Sequence, residues 1–237
     1  MKNICIVASL LLMATLVLVV GMTTSNLAAK NGNPNPGVAP PHSTVRGMTY
    51  GEWRQTALEY LFRTPAEISP EWDLTGEASD AHQSKDMFFL MGPRDVDVYR
   101  SVKPGARIWI PTGGRAAMWS LVEVPAKAYA ASLGMDPNTL SEAELMSLFA
   151  NHLCDGIQGR YVSVNGEPLP YVEDYVDETP PFQLWILPGP FLPLQGWMGT
   201  TVAVGGAVII GPLPKGEYLI ESGNTSGDAW YWNVTVE

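Results

Sequence analysis

The chain predicts a mainly β protein: an antiparallel β-sandwich, immunoglobulin/fibronectin-like or jelly-roll-like, with an N-terminal helix and a helical insertion. Three observations point there. At 46% apolar and 16% charged residues the 237-residue chain is too apolar and too weakly charged for disorder, so a packed core is expected. Short apolar runs in the second half are separated by turns rich in Gly and Pro, the pattern of short antiparallel strands. The last of these runs alternates: Trp230, Trp232, Val234 and Val236 share one face, and Tyr231, Asn233 and Thr235 the other.

The elements follow in order. Lys2 precedes an uncharged apolar run of 17 residues, Ile4–Val20, and small or polar residues fill 21–29, which reads as a secretory signal spanning 1–29. Cleavage after Ala29 is expected, with Ser25 as the alternative site and an uncleaved membrane anchor as the alternative fate. Residues 30–47 are rich in Pro, Asn and Gly, have no apolar period, and read as a flexible linker. The folded domain is then 48–237. Thr49 and Glu52 have capping-box spacing, so a helix should run to about Arg63, before Pro65, with Tyr50, Trp53, Ala57, Tyr60 and Leu61 on its apolar face.

Strands are expected at 86–91, 96–102 and 106–110, the last two joined as a hairpin across Lys103-Pro104-Gly105. Pro125 at a first-turn position and Gly134 bracket a short helix, and Ser141 with Glu144 caps a second one carrying Leu145, Leu148, Phe149, His152 and Leu153; together they form an insertion at about 125–155. Asn165-Gly166 is a two-residue hairpin signal. Further strands are expected at 182–187, 201–210, 217–221 and 229–236, with residues 213–218 as a corner between two sheets.

Several of these segments also carry a resemblance. Tyr50-Gly51-Glu52-Trp53, Tyr99–Gly105 with Ile110-Pro111, Val164-Asn165-Gly166, Gly211–Pro214 with Gly216, and Val234-Thr235-Val236 together resemble a family of functionally uncharacterised secreted prokaryotic proteins. Members open with a Tyr-Gly-Glu-Trp helix and close in a Pro-Leu-x-x-Gly β-hairpin. The likeness spans most of 49–236. Relatives often carry further tryptophans in the first helix and a cysteine pair; here 56–61 holds no tryptophan, and Cys154 has no partner outside the leader. The resemblance implies export and brings no catalytic residues.

Chemistry is mostly excluded. A net charge of −10 disfavours nucleic acid and anionic lipid, leaving the N-terminal segment, if uncleaved, as the only membrane contact expected. There is no Gly-x-Ser-x-Gly, no His or Cys pair at zinc spacing, and no phosphate loop, so no catalytic residue, metal or cofactor is expected. Asp80-x-His82 with Asp86 is the weak zinc candidate, and Glu173, Asp174, Asp177 and Glu178 form an acidic loop that lacks calcium-loop spacing. Cys154 reads as a buried small hydrophobe. Asn224-Thr-Ser and Asn233-Val-Thr match the glycosylation acceptor pattern.

The unusual component is tryptophan, with all eight residues beyond position 29. Alternation sets Trp109, Trp185 and Tyr231 opposite their apolar neighbours, which makes them the candidate ligand-binding rings; covering of both sheet faces is the competing reading. The expected function is an exported, non-catalytic binding or cell-envelope-associated module that takes an extracellular glycan or protein. A carboxylate-based hydrolase of extracellular polymers is the alternative, because glycoside hydrolysis needs only two acids across a cleft.

Overall fold

Thr49 does what its spacing from Glu52 predicts. In the computed structural model, which describes residues 37–188 and 195–237, the Thr49 hydroxyl accepts from Glu52 N at 3.2 Å and the Glu52 carboxylate accepts from Thr49 N at 2.7 Å. These bonds open helix α1 (Tyr50–Arg63), which ends before Pro65 as expected. A two-stranded ribbon, β1 (Thr44–Val45) with β2 (Met48–Thr49), leads into it. The leader expected over 1–29 lies outside the described residues.

The segment expected as a flexible linker is tied down from Val38 onward. Val38 bridges Ile210, Ala39 N donates to Ile209 O, the Tyr50 hydroxyl donates to Ala39 O, and Trp53 Nε1 donates to Val45 O. Pro40 and Pro41 have no N–H to give; the segment is held through Ala39 N and through the carbonyls of Ala39 and Val45.

Two five-stranded sheets follow. In the first, β3 (Met87–Phe89), β5 (Arg107–Met118), β10 (Gly196–Ile210) and β8 (Val176–Glu178) lie in that order, and β9 (Phe182–Ile186) also pairs with β10. In the second the order is β4 (Asp97–Val102), β12 (Ala229–Val236), β11 (Gly216–Gly223), β6 (Tyr161–Val164) and β7 (Glu167–Pro168). The molecule is thus mainly sheet, with three sheets, three α-helices and no closed barrel among the described residues.

The pairings are antiparallel except β3 with β5 and β4 with β12, which are parallel. The second of these corrects the expected hairpin. Residues 103–105 carry the chain from the second sheet to the first instead of folding it back, so β4 and β5 are not neighbours. A period of two shows which face a strand buries but not which strand lies beside it. Val98 and Val102 of β4 pack in one apolar cluster with Val162, Ile220, Trp232, Val234 and Val236 of its own sheet and Ile108, Ile110, Val208 and Ile210 of the other. Each fully buried aliphatic side chain there contributes roughly 1.5–3 kcal/mol.

Local turn chemistry is realised as written. Asn165 and Gly166 take φ +52° and +80° and join β6 to β7 as a two-residue hairpin. At the β10–β11 corner the Tyr218 hydroxyl donates to Pro214 O at 2.8 Å.

Helices α2 (Trp119–Ser132) and α3 (Glu142–Cys154) cover the first sheet, and neither has the expected form throughout. Helix α2 continues directly from β5, so Pro125 lies in its interior instead of its first turn. On α3 the buried residues are Leu145, Met146, Ala150 and Cys154, which pack with Ala126, Ala130, Ala117, Val202 and Val204. Of the expected stripe, Leu145 is buried in that cluster and Leu148 packs against it, while Phe149 and His152 meet Tyr129 of α2, at 6.1 Å and stacked at 3.9 Å. No helix among the described residues is long and apolar enough to cross a membrane.

Candidate functional site

Strand β9 alternates cleanly. Phe182, Leu184 and Ile186 point inward and join Met118, Met198 and the α1 residues Leu58 and Phe62 in one apolar cluster. Helix α1 holds the strand there: Phe62 O accepts from Leu187 N at 3.0 Å, and Arg63 Nη2 donates to Gln183 O at 3.3 Å. With three apolar side chains committed inward, the period of two sends Gln183 and Trp185 outward.

Across the ladder, Trp197 of β10 is in register with Trp185. The two indoles are 49% and 56% exposed, with ring centroids 6.4 Å apart and planes inclined at 52°. Two residues along, Gln183 faces Thr200. The Gln183 amide donates to the Thr200 hydroxyl at 3.3 Å, and that hydroxyl donates to Glu142 Oε2 at the start of α3, at 2.8 Å. The result is a pair of exposed rings beside a line of polar groups. Gly199, at a bulge in β10, leaves room for Trp119, whose Cβ stands 3.1 Å from where a Gly199 side chain would begin.

The other two expected rings are elsewhere. Trp109 is 5% exposed, a correction to its assignment as a surface ring: it meets Phe89 edge-on at 5.9 Å and the Arg54 guanidinium at 5.8 Å. Ile108 and Ile110 face the second sheet while Trp109 faces α1 and β3, so both faces of β5 are covered at this point. Tyr231 is half-buried on β12 in the second sheet, in register with Glu221 and Asp97, and so does not join Trp185. Trp197 was not predicted. Its signal was its position just beyond the Pro-rich 187–195 connection, hidden because Gly196 and Gly199 interrupt the apolar pattern that marks β10.

Three acids of the 65–86 loop, Glu71, Asp73 and Asp80, lie within the electrostatic reach of Arg100. Arg100, buried, donates to the carbonyls of Pro70, Asp73, Met91 and Tyr99 at 2.7–2.9 Å and thereby anchors the 65–86 loop to β4. Burial pushes the Asp80 carboxyl up to about 6, although Ser101 N donates to it at 2.6 Å and Arg100 Nε lies 3.6 Å away. Burial likewise raises Glu71 to about 7 against the attraction of Arg94 and Arg100. Asp73 goes the other way: burial would raise it, but hydrogen bonds from Ser79, Thr75 and Ala78 together outweigh that and hold it well below the usual range.

The weak metal candidates are dispersed. Asp80 is taken as described, Asp86 pairs with Arg46 at 3.0 Å, and no group of three His, Cys, Asp or Glu converges for a metal ion among the described residues. In the acidic loop Glu173 binds Arg160, Asp177 Oδ1 lies 3.2 Å from His42 Nδ1, and Glu178 accepts from Asn151.

Gly114 and Gly205, in register across β5 and β10, share a structural partner. Arg54 Nη2 donates to Gly205 O, and side chains at Gly114 or Gly205 would begin 3.2 and 2.9 Å from Arg54 Nη1. Burial of this guanidinium lowers its pKa to about 10. Cys154 is buried, with Arg160 Nη2 at 3.5 Å from its sulfur. Of the two acceptor motifs, Asn224 is buried and its amide nitrogen is occupied by Thr112 O and Asp228 Oδ2.

Compared with protein-family models, curated proteins and solved structures, the chain matches none.

Proposed function

We propose that the protein is an extracytoplasmic, non-catalytic binding module whose contact surface is the Trp185–Trp197 pair. The two five-stranded sheets are read as an open sandwich that presents this surface, and the apolar run after Lys2 as the export signal. One observation carries the reading. Two indoles in register on neighbouring strands are both half exposed, although each would stabilise the fold further if it were covered. Rings held side by side on a sheet are a rigid apolar platform, and the hydrogen-bonded line Gln183–Thr200–Glu142 supplies polar contacts next to it.

The test is a glycan and peptide array probed with the exported protein and with the Trp185→Ala/Trp197→Ala double variant. Binding in the parent that the double variant loses, at an unchanged melting temperature, supports the reading. Undiminished binding by the double variant refutes it.

A further inference from the structure

We infer that the occupant of this surface is a neutral glycan chain of equatorially substituted pyranoses; the inference rests on the reading of the Trp185–Trp197 pair as a contact surface. Three features of the site select this chemistry.

The first is hydrogen-bond polarity. One of the two Gln183 amide hydrogens is given to Thr200 and the Thr200 hydroxyl hydrogen to Glu142. Toward a ligand there remain acceptors, on the Gln183 carbonyl oxygen and the second Glu142 oxygen, and donors, on the second Gln183 amide N–H and the two indole N–H groups. A ligand that satisfies the whole site must therefore bring donors as well as acceptors. Sugar hydroxyls do; a run of prolines has no N–H or O–H and offers acceptors only.

Charge is the second feature. The carboxylate of Glu142 ends the polar row at Thr200, two residues along from the rings, and the chain carries a net charge of −10, so uronate or phosphate polymers meet repulsion. The nearby cations are engaged: Arg63 with Glu59 and Gln183 O, and Lys127 with Glu123 and the Trp119 ring.

The third is ring geometry. Indoles whose planes are inclined at 52° do not form one flat platform and so do not match a crystalline face. They do match successive residues of a single, twisted chain, each ring taking the C–H face of one pyranose. The polar row lies two residues along the strand, roughly 7 Å from the rings, where the hydroxyls of the adjoining residue would fall.

The experiment is calorimetric titration of the exported protein with cellohexaose and chitohexaose, and in parallel with oligogalacturonate and decaproline. The expected result is binding of a neutral hexasaccharide, weakened at least tenfold by Trp185→Ala and by Trp197→Ala, and severalfold by Glu142→Gln. Trp185→Phe should keep most of the affinity, which guards against loss by misfolding. Binding of decaproline or oligogalacturonate through the tryptophan pair, without the neutral sugars, overturns the glycan inference and leaves the contact surface standing. Neutral-sugar binding that both tryptophan variants retain overturns the surface itself, as does the absence of binding to any of the four probes combined with an unaltered array profile for the double variant.

Discussion

Ile108-Trp109-Ile110 and Leu184-Trp185-Ile186 are nearly the same tripeptide, each followed closely by proline, yet one tryptophan is buried and the other half exposed. Both stretches are strands with aliphatic residues on one face and indole on the other. In β5 the aliphatics face the second sheet, and the indole faces α1 and β3. In β9 the aliphatics face α1, and the indole is left on the side opposite α1. Alternation fixes the relation between two faces of a strand; which face is covered depends on what the rest of the chain puts there.

Breaking the covered member should have the largest effect. Trp109→Ala is expected to cost about 3–5 kcal/mol, because a large cavity opens between α1, β3 and β5; urea denaturation measures it. A loss below 1 kcal/mol would mean that Trp109 is not enclosed.

Arg100→Met comes next, at about 3 kcal/mol, since four carbonyls that now accept from one guanidinium lose their donor inside the protein. Arg100→Lys should recover little of this, because one ammonium cannot serve four acceptors spread around a planar fork. Denaturation curves of the two variants check both statements.

Acid separates the two regions further. Glu71 and Asp80 have folded pKa values raised to about 7 and about 6, so between these values and their ordinary ones the folded state holds protons that the unfolded chain releases. Stability should therefore rise as pH falls from 8 toward about 5. Asp73 is depressed, so its contribution is present above its ordinary value and is lost as the pH falls below about 4. The urea midpoint should peak near about pH 5, and Glu71→Gln should flatten its alkaline side. A midpoint higher at pH 8 than at pH 5 would contradict the assignment. No titrating group of this loop touches Trp185 or Trp197, so ligand affinity should change little over the same range.

The smallest effect on stability is expected at the exposed member. Trp185→Ala removes a cross-strand ring pair and should cost under about 1 kcal/mol, with the same denaturation assay as the check.

The features that could be read from the sequence are those fixed by neighbours in the chain. Both capping boxes, the Asn165-Gly166 turn, the corner at 213–218 and the end of α1 before Pro65 need only local residues, and all are present. What could not be read depends on distant partners. The parallel pairing of β4 with β12 joins residues more than a hundred positions apart, and nothing in Asp97–Val102 names Ala229–Val236 as its neighbour. The early start of α2 was hidden by Pro125, whose usual place is a first turn and which here sits inside a helix continuing from a strand. Of the candidate rings, Trp185 could be located from β9 alone; Trp109 failed because its covering comes from α1, and Trp197 was missed because glycines mask the start of β10.

The most direct test of the proposed binding surface is hydroxyl-radical footprinting of the protein, read by mass spectrometry at each tryptophan with and without cellohexaose. The account predicts that Trp185 and Trp197 are oxidised in the free protein and protected in the complex, that Trp72 is oxidised in both, and that Trp109 and Trp232 are protected in both. Oxidation of Trp185 and Trp197 that saturating ligand leaves unchanged, or protection of the pair in the free protein, would contradict it.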